Sequence, residues 1–96
     1  MERQPCVYIL TNKRNGTLYV GVTSDLSKRI WQHKNKAVDG FSKEYDLDKL
    51  VWFEIHETME SAIQKEKIIK FWKRRWKLNV IEELNPEWKD LYEDIL

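Results

Sequence analysis

Two short β-prone runs joined through an Asn-Gly turn fix how this chain must begin. Cys6 to Thr11 and Thr17 to Val22 are rich in β-branched and aromatic residues, and Lys13-Arg14-Asn15-Gly16 stands between them. Asn-Gly in that setting is a strong β-hairpin signal. A two-residue Asn15-Gly16 loop and a four-residue Lys13 to Gly16 loop both pair residues whose numbers sum to an odd value, so either puts Tyr8 and Tyr19 on one face. A three-residue loop would separate them. With the four-residue loop Tyr8 lies opposite Gly21, and Tyr19 is its diagonal neighbour at roughly 7–8 Å between backbones. The missing side chain at Gly21 then leaves space above the sheet.

Beyond the hairpin, Ser24 or Asp25 can cap a helix running to about residue 36, since a short oxygen-bearing side chain accepts bonds from the free amides of the first turn. Its apolar stripe is Leu26, Ile30 and Ala37. Residues 38 to 48 read as an irregular loop. Leu50 to Ile55 alternates, with Val51, Phe53 and Ile55 on one face and Leu50, Trp52 and Glu54 on the other, which marks a third strand. Thr58 caps a helix from Met59 to about Lys73, and a shorter one covers Trp76 to Leu84 after a break near Arg74. Asn85-Pro86 opens a last helix, with Trp88, Leu91, Tyr92 and Ile95 as its stripe. The expected fold is α/β (α+β): a small three-stranded antiparallel sheet flanked by helices in the order β-β-α-β-α-α-α.

The chain's 96 residues suit one domain spanning 1–96, with no room for a separate regulatory one. Hydrophobic residues at 42% exclude a disordered chain, and the five tryptophans are expected to fill much of the core. The single Cys6 cannot form an internal disulfide and reads as a buried strand residue. No apolar run approaches the roughly 18 residues that a membrane span needs. A soluble, cytoplasmic protein is the default expectation. A formal charge of +1 neither indicates nor excludes a nucleic-acid partner, but its distribution is uneven. Lys65, Lys67, Lys70, Lys73, Arg74, Arg75 and Lys77 crowd together, while acidic residues concentrate after Glu82.

Several residues stand out for chemistry. Glu66 falls at the centre of a helical face made of Met59, Ala62, Ile63 and Ile69. An unpaired carboxylate there would cost several kcal/mol, so it calls for a cationic partner, a metal or an opening to solvent. A salt bridge to a neighbouring lysine is the plainer alternative. Arg29 and His33 share one helix face and can border a cleft over the sheet, although an exposed helical arginine is ordinarily just solvated and a lone histidine structural. Tyr8 and Tyr19 alone would be core aromatics with a hydroxyl at the rim. His56 reads as an exposed strand-end residue. Two histidines and one cysteine are too few and too badly spaced for a zinc site.

Together, Val7-Tyr8-Ile9, Tyr19-Val20-Gly21, Arg29, His33 and Glu66 resemble the GIY-YIG nuclease superfamily over nearly the whole chain. VYI stands for the first motif and YVG for the second, at the spacing that family requires. The family's position four after the arginine is often tyrosine or histidine, as at His33. Two departures are visible: Val7 replaces the isoleucine of the name, and Val22 follows Gly21 where some repair members carry a site lysine. The resemblance implies a metal-dependent endonuclease cutting phosphodiester bonds, in DNA more than RNA, in repair or recombination. It implies Glu66 as ligand to one divalent ion, Mg²⁺ or Mn²⁺, and Arg29 on the non-bridging oxygens. Tyr8, assisted by Tyr19 and His33, would orient or activate the water. An unperturbed phenol, with a pKa of about 10, is a poor base, so Arg29 or the metal must favour its ionised form.

In the same reading Gly21 supports the site, and Asn79 resembles the family's late buttressing asparagine, with a capping or turn role as its alternative. Lys43, Lys70, Lys73 and Arg74 are candidate phosphate contacts, with Trp72 and Trp76 as stacking surfaces. The bland alternative is a solvated face over two core tryptophans. Two rival functions remain: a nucleic-acid-binding module of the same fold with little or no cleavage, drawing specificity from a protein partner, and a protein-interaction domain using the Trp-rich C-terminal surface.

Overall fold

The hairpin forms where the Asn-Gly signal places it. Strand β1 (Cys6–Thr11) pairs antiparallel with β2 (Leu18–Thr23), and Tyr8 lies opposite Gly21. The turn is the four-residue one: the Gly16 amide donates to the Lys13 carbonyl at 2.9 Å, and Asn15 adopts a left-handed φ of 58°. Asn12 Oδ1 accepts from the Thr17 amide at 3.1 Å, which closes the loop from inside. The computed structural model describes residues 4–38 and 40–96.

Strand β3 (Lys49–Ile55) pairs antiparallel with the other edge of β1, giving the order β2-β1-β3. Being central, β1 is buried along its whole length, Cys6 included. Its odd residues, Val7 and Ile9, face a cluster with Ala62, Ile69, Ile81 and Trp88, while Tyr8 and Leu10 face Ile30, Leu47 and Leu50. The sheet is therefore covered on both faces. The simple alternation expected for β3 fails at a register shift: Ile9 pairs with Trp52 but Leu10 with Leu50, so Val51 is the extra residue of a bulge. Val51 and Trp52 consequently both join the first cluster, and Leu50 and Phe53 the second.

Helix α1 (Leu26–Lys34) starts at Asp25, whose carboxylate accepts from the Lys28 amide, and buries Ile30 and His33. It stops short of residue 36 because Lys36 turns left-handed at φ 55°. Ala37 thus lies past the helix. Inside the expected loop, Gly40 at φ 108° admits a single helical turn, α2 (Phe41–Glu44), which buries Ser42.

Helix α3 (Met59–Phe71) is capped by Thr58, whose hydroxyl accepts from the Ser61 amide. Its start is tied to β3 by His56, which is half-buried rather than exposed: Nδ1 meets Ser61 Oγ at 2.6 Å and Nε2 meets Glu54 Oε1 at 2.7 Å. The chain then extends through Trp72 and Lys73 before α4 (Arg74–Leu84). On α4, the Arg74 guanidinium donates to the carbonyls of Asn15 and Gly16 at 2.8 and 2.7 Å, pinning the hairpin turn.

The last expected helix does not form. Asn85 caps nothing at its start; its amide donates to the carbonyls of Val51 and Lys89 and its oxygen accepts from the Lys89 amide. Trp88 sits at φ 57° with its ring buried, so the chain turns rather than coils. The tail is tacked to β3, with the Leu91 amide on the Leu50 carbonyl at 2.7 Å and the Leu50 amide on Asp90 Oδ1. Only a 3₁₀ turn, Tyr92–Ile95, follows. Of the five tryptophans, Trp52 and Trp88 are buried, whereas Trp31 and Trp76 are each 53% exposed.

Asn85 therefore joins α4, β3 and the tail through one buried amide. Asn85→Ala should lower the unfolding free energy by roughly 2–4 kcal/mol, since it strands buried backbone groups. Asn79→Ala, at an exposed α4 position, should change it by less than about 0.5 kcal/mol. Urea unfolding of both variants measures the difference.

Candidate active site

The bare Cα of Gly21 determines where the first tyrosine goes. A Cβ built on Gly21 would sit 2.4 Å from both Cζ and Oη of Tyr8, so the phenol lies directly across this position. The space expected above Gly21 is filled by Tyr8 itself. Leaning over β2 brings the Tyr8 hydroxyl within reach of helix α1.

There Tyr8 Oη lies 3.0 Å from His33 Nε2, and the other ring nitrogen, Nδ1, lies 3.0 Å from Ser42 Oγ. Tyr19 completes the group: its ring centroid is 6.3 Å from that of Tyr8 and 5.6 Å from that of His33. Ser42 was missing from the sequence reading. Its only sequence signal was its place in an irregular loop, and nothing there announced that the loop would fold back over α1.

Burial pushes the Tyr8 phenol well above its usual range, and the nearby Tyr19 and Glu66 reinforce this, while the Arg29 guanidinium pulls the other way. In this protein the arginine alone does not make Tyr8 a phenolate. Burial, with Arg29 adding to it, drops His33 from 6.5 to about 4, so the imidazole is neutral at physiological pH. Arg29 also lines a recess of about 180 Å³ with Thr23, Ser24, Asp25, Lys28 and Gln32. A polar recess beside a partly buried guanidinium can seat phosphate oxygens.

Glu66 projects from α3 with its side chain only 13% exposed, and pairs with Lys70 one turn later at 2.9 Å. The salt bridge expected as the plainer alternative is therefore present. The same carboxylate is close enough for its charge to act on the Tyr8 hydroxyl. Among the described residues no group of three or more His, Cys, Asp or Glu side chains converges to hold a metal. That donor set does not suit zinc. A lone carboxylate does suit Mg²⁺, which keeps most of its shell as water and substrate oxygens.

The remaining candidates are spread around this centre. Lys73 is exposed at the start of α4, Lys70 is held by Glu66, and Arg74 by the hairpin turn. Lys43 lies on α2 next to Ser42. Asn79 is exposed, and the buried asparagine of this region is Asn85.

Two outcomes test the geometry. Gly21→Ala should destabilise by about 1–3 kcal/mol through forced overpacking against Tyr8, and shift the Tyr8 ring resonances. Between pH 6.5 and about 4 the unfolded chain holds a proton on His33 that the folded chain does not. The stability from this residue is complete above the upper value and is lost as pH falls through the window, by up to about 3 kcal/mol. His33→Gln should flatten the stability curve there, as measured by urea unfolding across the range.

Comparison with known proteins identifies the family. The family model of the GIY-YIG catalytic domain matches residues 4–79. A UPF0213 protein of Staphylococcus saprophyticus is 35% identical over 77 residues, covering 80% of this chain and 93% of its own. Another, of Clostridium perfringens, is 39% identical over 75 residues, covering 78% and 80%. The solution NMR structure of a UPF0213 protein from Bacillus halodurans, 24% identical, shares the fold at a TM-score of 0.56 over 91% of this chain and 92% of that one. No helix among the described residues is long and apolar enough to cross a membrane. The hairpin with its two tyrosines, the arginine and histidine of α1 and the glutamate of α3 thus stand in a chain that belongs to the GIY-YIG catalytic domain family, a nuclease superfamily with UPF0213 proteins among its members.

Proposed function

We propose that this protein is a divalent-metal-dependent endonuclease that hydrolyses phosphodiester bonds, with DNA preferred to RNA. The observation that carries the reading is the convergence on one hydroxyl. Tyr8 Oη, over Gly21, is bonded to His33, has Tyr19 beside it and lies within the fields of Arg29 and Glu66. Four residues from three other elements act on a single oxygen. Structural tyrosines do not require such an assembly.

Hydrolysis needs an oriented water, charge stabilisation on the phosphoryl oxygens and help for the departing alkoxide. In this reading Arg29 holds the non-bridging oxygens at its recess. Tyr8 and Tyr19 present their hydroxyls to the attacking water, and neutral His33 accepts or returns a proton at Nε2. Glu66, with water and substrate oxygens, would hold Mg²⁺ or Mn²⁺, which when bound supplies Lewis-acid stabilisation of the phosphoryl charge. Lys70 has to let Glu66 go. It is half exposed, and an ion pair at that position is worth little, so substrate phosphate can draw the lysine away. Lys43, Lys73 and Arg74 would add backbone contacts outside the centre.

A second reading, a nucleic-acid-binding module with little cleavage, is favoured by one observation: without added cation Tyr8 stays protonated and Glu66 is occupied by Lys70. Plasmid, branched and single-stranded DNA incubated with Mg²⁺ or Mn²⁺ separates the two. Cleavage is expected, with Glu66→Gln and Arg29→Ala each at least about 10²-fold slower. Salt-dependent binding should persist in Glu66→Gln. Equal cutting by parent and variants would refute the nuclease site, and binding without cutting under either metal would favour the module.

A further inference from the structure

We infer that Ser42 is a positioning residue that sets the direction of the hydrogen-bond chain through His33 to Tyr8, so that Tyr8 donates to the ring and turns a lone pair, not its proton, to the site. The inference rests on the nuclease reading for its use, but its physical content does not.

Three groups lie in sequence: Ser42 Oγ, the His33 ring and Tyr8 Oη. A neutral imidazole carries one N–H and one lone pair, so such a chain has two polarities. In the first, Nδ1–H donates to Ser42 and Nε2 accepts from Tyr8, so the Tyr8 oxygen turns its lone pairs away from the ring. In the second, Ser42 donates to Nδ1 and Nε2–H donates to Tyr8, whose own proton points outward. Only the first lets Tyr8 pass its proton to the imidazole as it takes one from a water.

The chemistry of the partners selects between them. A single ring lone pair is contested by a phenol and an alcohol, and the phenol is the stronger acid, hence the better donor. Tyr8 therefore takes Nε2, and the ring proton falls to Nδ1, where it needs an acceptor. At that point the ring is buried, with His33 and Ser42 each 5% exposed, so water is a poor substitute. Ser42 Oγ is the acceptor present. Its backbone is fixed as well, since its carbonyl takes the Leu47 amide at 2.8 Å and Leu47 is buried against Leu50. The same division of labour, in which a third group fixes the tautomer of a histidine, operates wherever an imidazole serves a neighbouring hydroxyl.

Long-range proton–nitrogen correlation NMR of the uniformly ¹⁵N-labelled protein near neutral pH, without metal or nucleic acid, reads the tautomer directly. His56, the other of the two histidines, serves as internal control. In the parent, His33 should show a protonated Nδ1 and a bare Nε2. Ser42→Ala should move His33 toward the Nε2–H form while His56 stays unchanged, and Ser42→Thr should restore the parent pattern. A parent with Nε2–H, or an Ala variant with no change at His33, would overturn the inference. In cleavage assays Ser42→Ala should lower kcat about tenfold or more with KM little altered, and Ser42→Thr should recover it. If no cleavage is found for the parent, the nuclease reading fails while the tautomer result still decides the role of Ser42.

Discussion

The contact between the Tyr8 phenol and the unsubstituted Gly21 is the constraint around which the site is built. A strand side chain normally stands up from its own strand, and its neighbour's Cβ keeps it there. With no Cβ opposite, Tyr8 lies down across β2, and its hydroxyl meets His33 of α1 while staying buried. The other parts of the site come to that one point. Helix α1 delivers His33 and Arg29 from the same face, α2 backs the imidazole, and α3 brings a carboxylate. The four-residue turn supplies the register, and any other parity would turn one of the tyrosines to the far face.

Electrostatics at this point are finely opposed. Burial holds a proton on Tyr8 and removes one from His33; Arg29 opposes burial at the phenol, easing its ionisation, and adds to burial at the ring, hindering its protonation. The result is a neutral, hydrogen-bonded pair with little charge of its own between a fixed guanidinium and a carboxylate. Such a pair can lean either way when a phosphate and its counterion arrive. Preorganised dipoles of this kind need no rearrangement as charge develops.

Most of this was legible before any coordinate. Hairpin parity follows from a two-residue period, and the shared helical face of Arg29 and His33 from a 3.6-residue one, so both survive folding unchanged. What could not be read depends on distant partners. The bulge at Val51 is invisible in a strand whose alternation looks regular, and it reassigns Val51 and Phe53 to opposite faces. Ser42 matters only because the residue 38–48 segment closes over α1. The expected last helix had an apolar stripe at the right period, yet Asn85 and Asp90 bond to β3 backbone groups more favourably than a helix would satisfy them. Asn79 and Asn85 illustrate the same point: both are asparagines in or beside α4, and burial alone distinguishes the one that binds elements together.

That tail has a further meaning for the sheet. A three-stranded sheet has two open margins, each a row of unpaired amides and carbonyls able to recruit another chain. Helix α3 packs against β2. On the opposite margin, Leu91 and Asp90 engage both backbone groups of Leu50, and Lys34 braces Asp90 from α1 at 2.5 Å. The final residues thus act as a selvedge, sealing the border where stacking of one molecule on the next would otherwise begin.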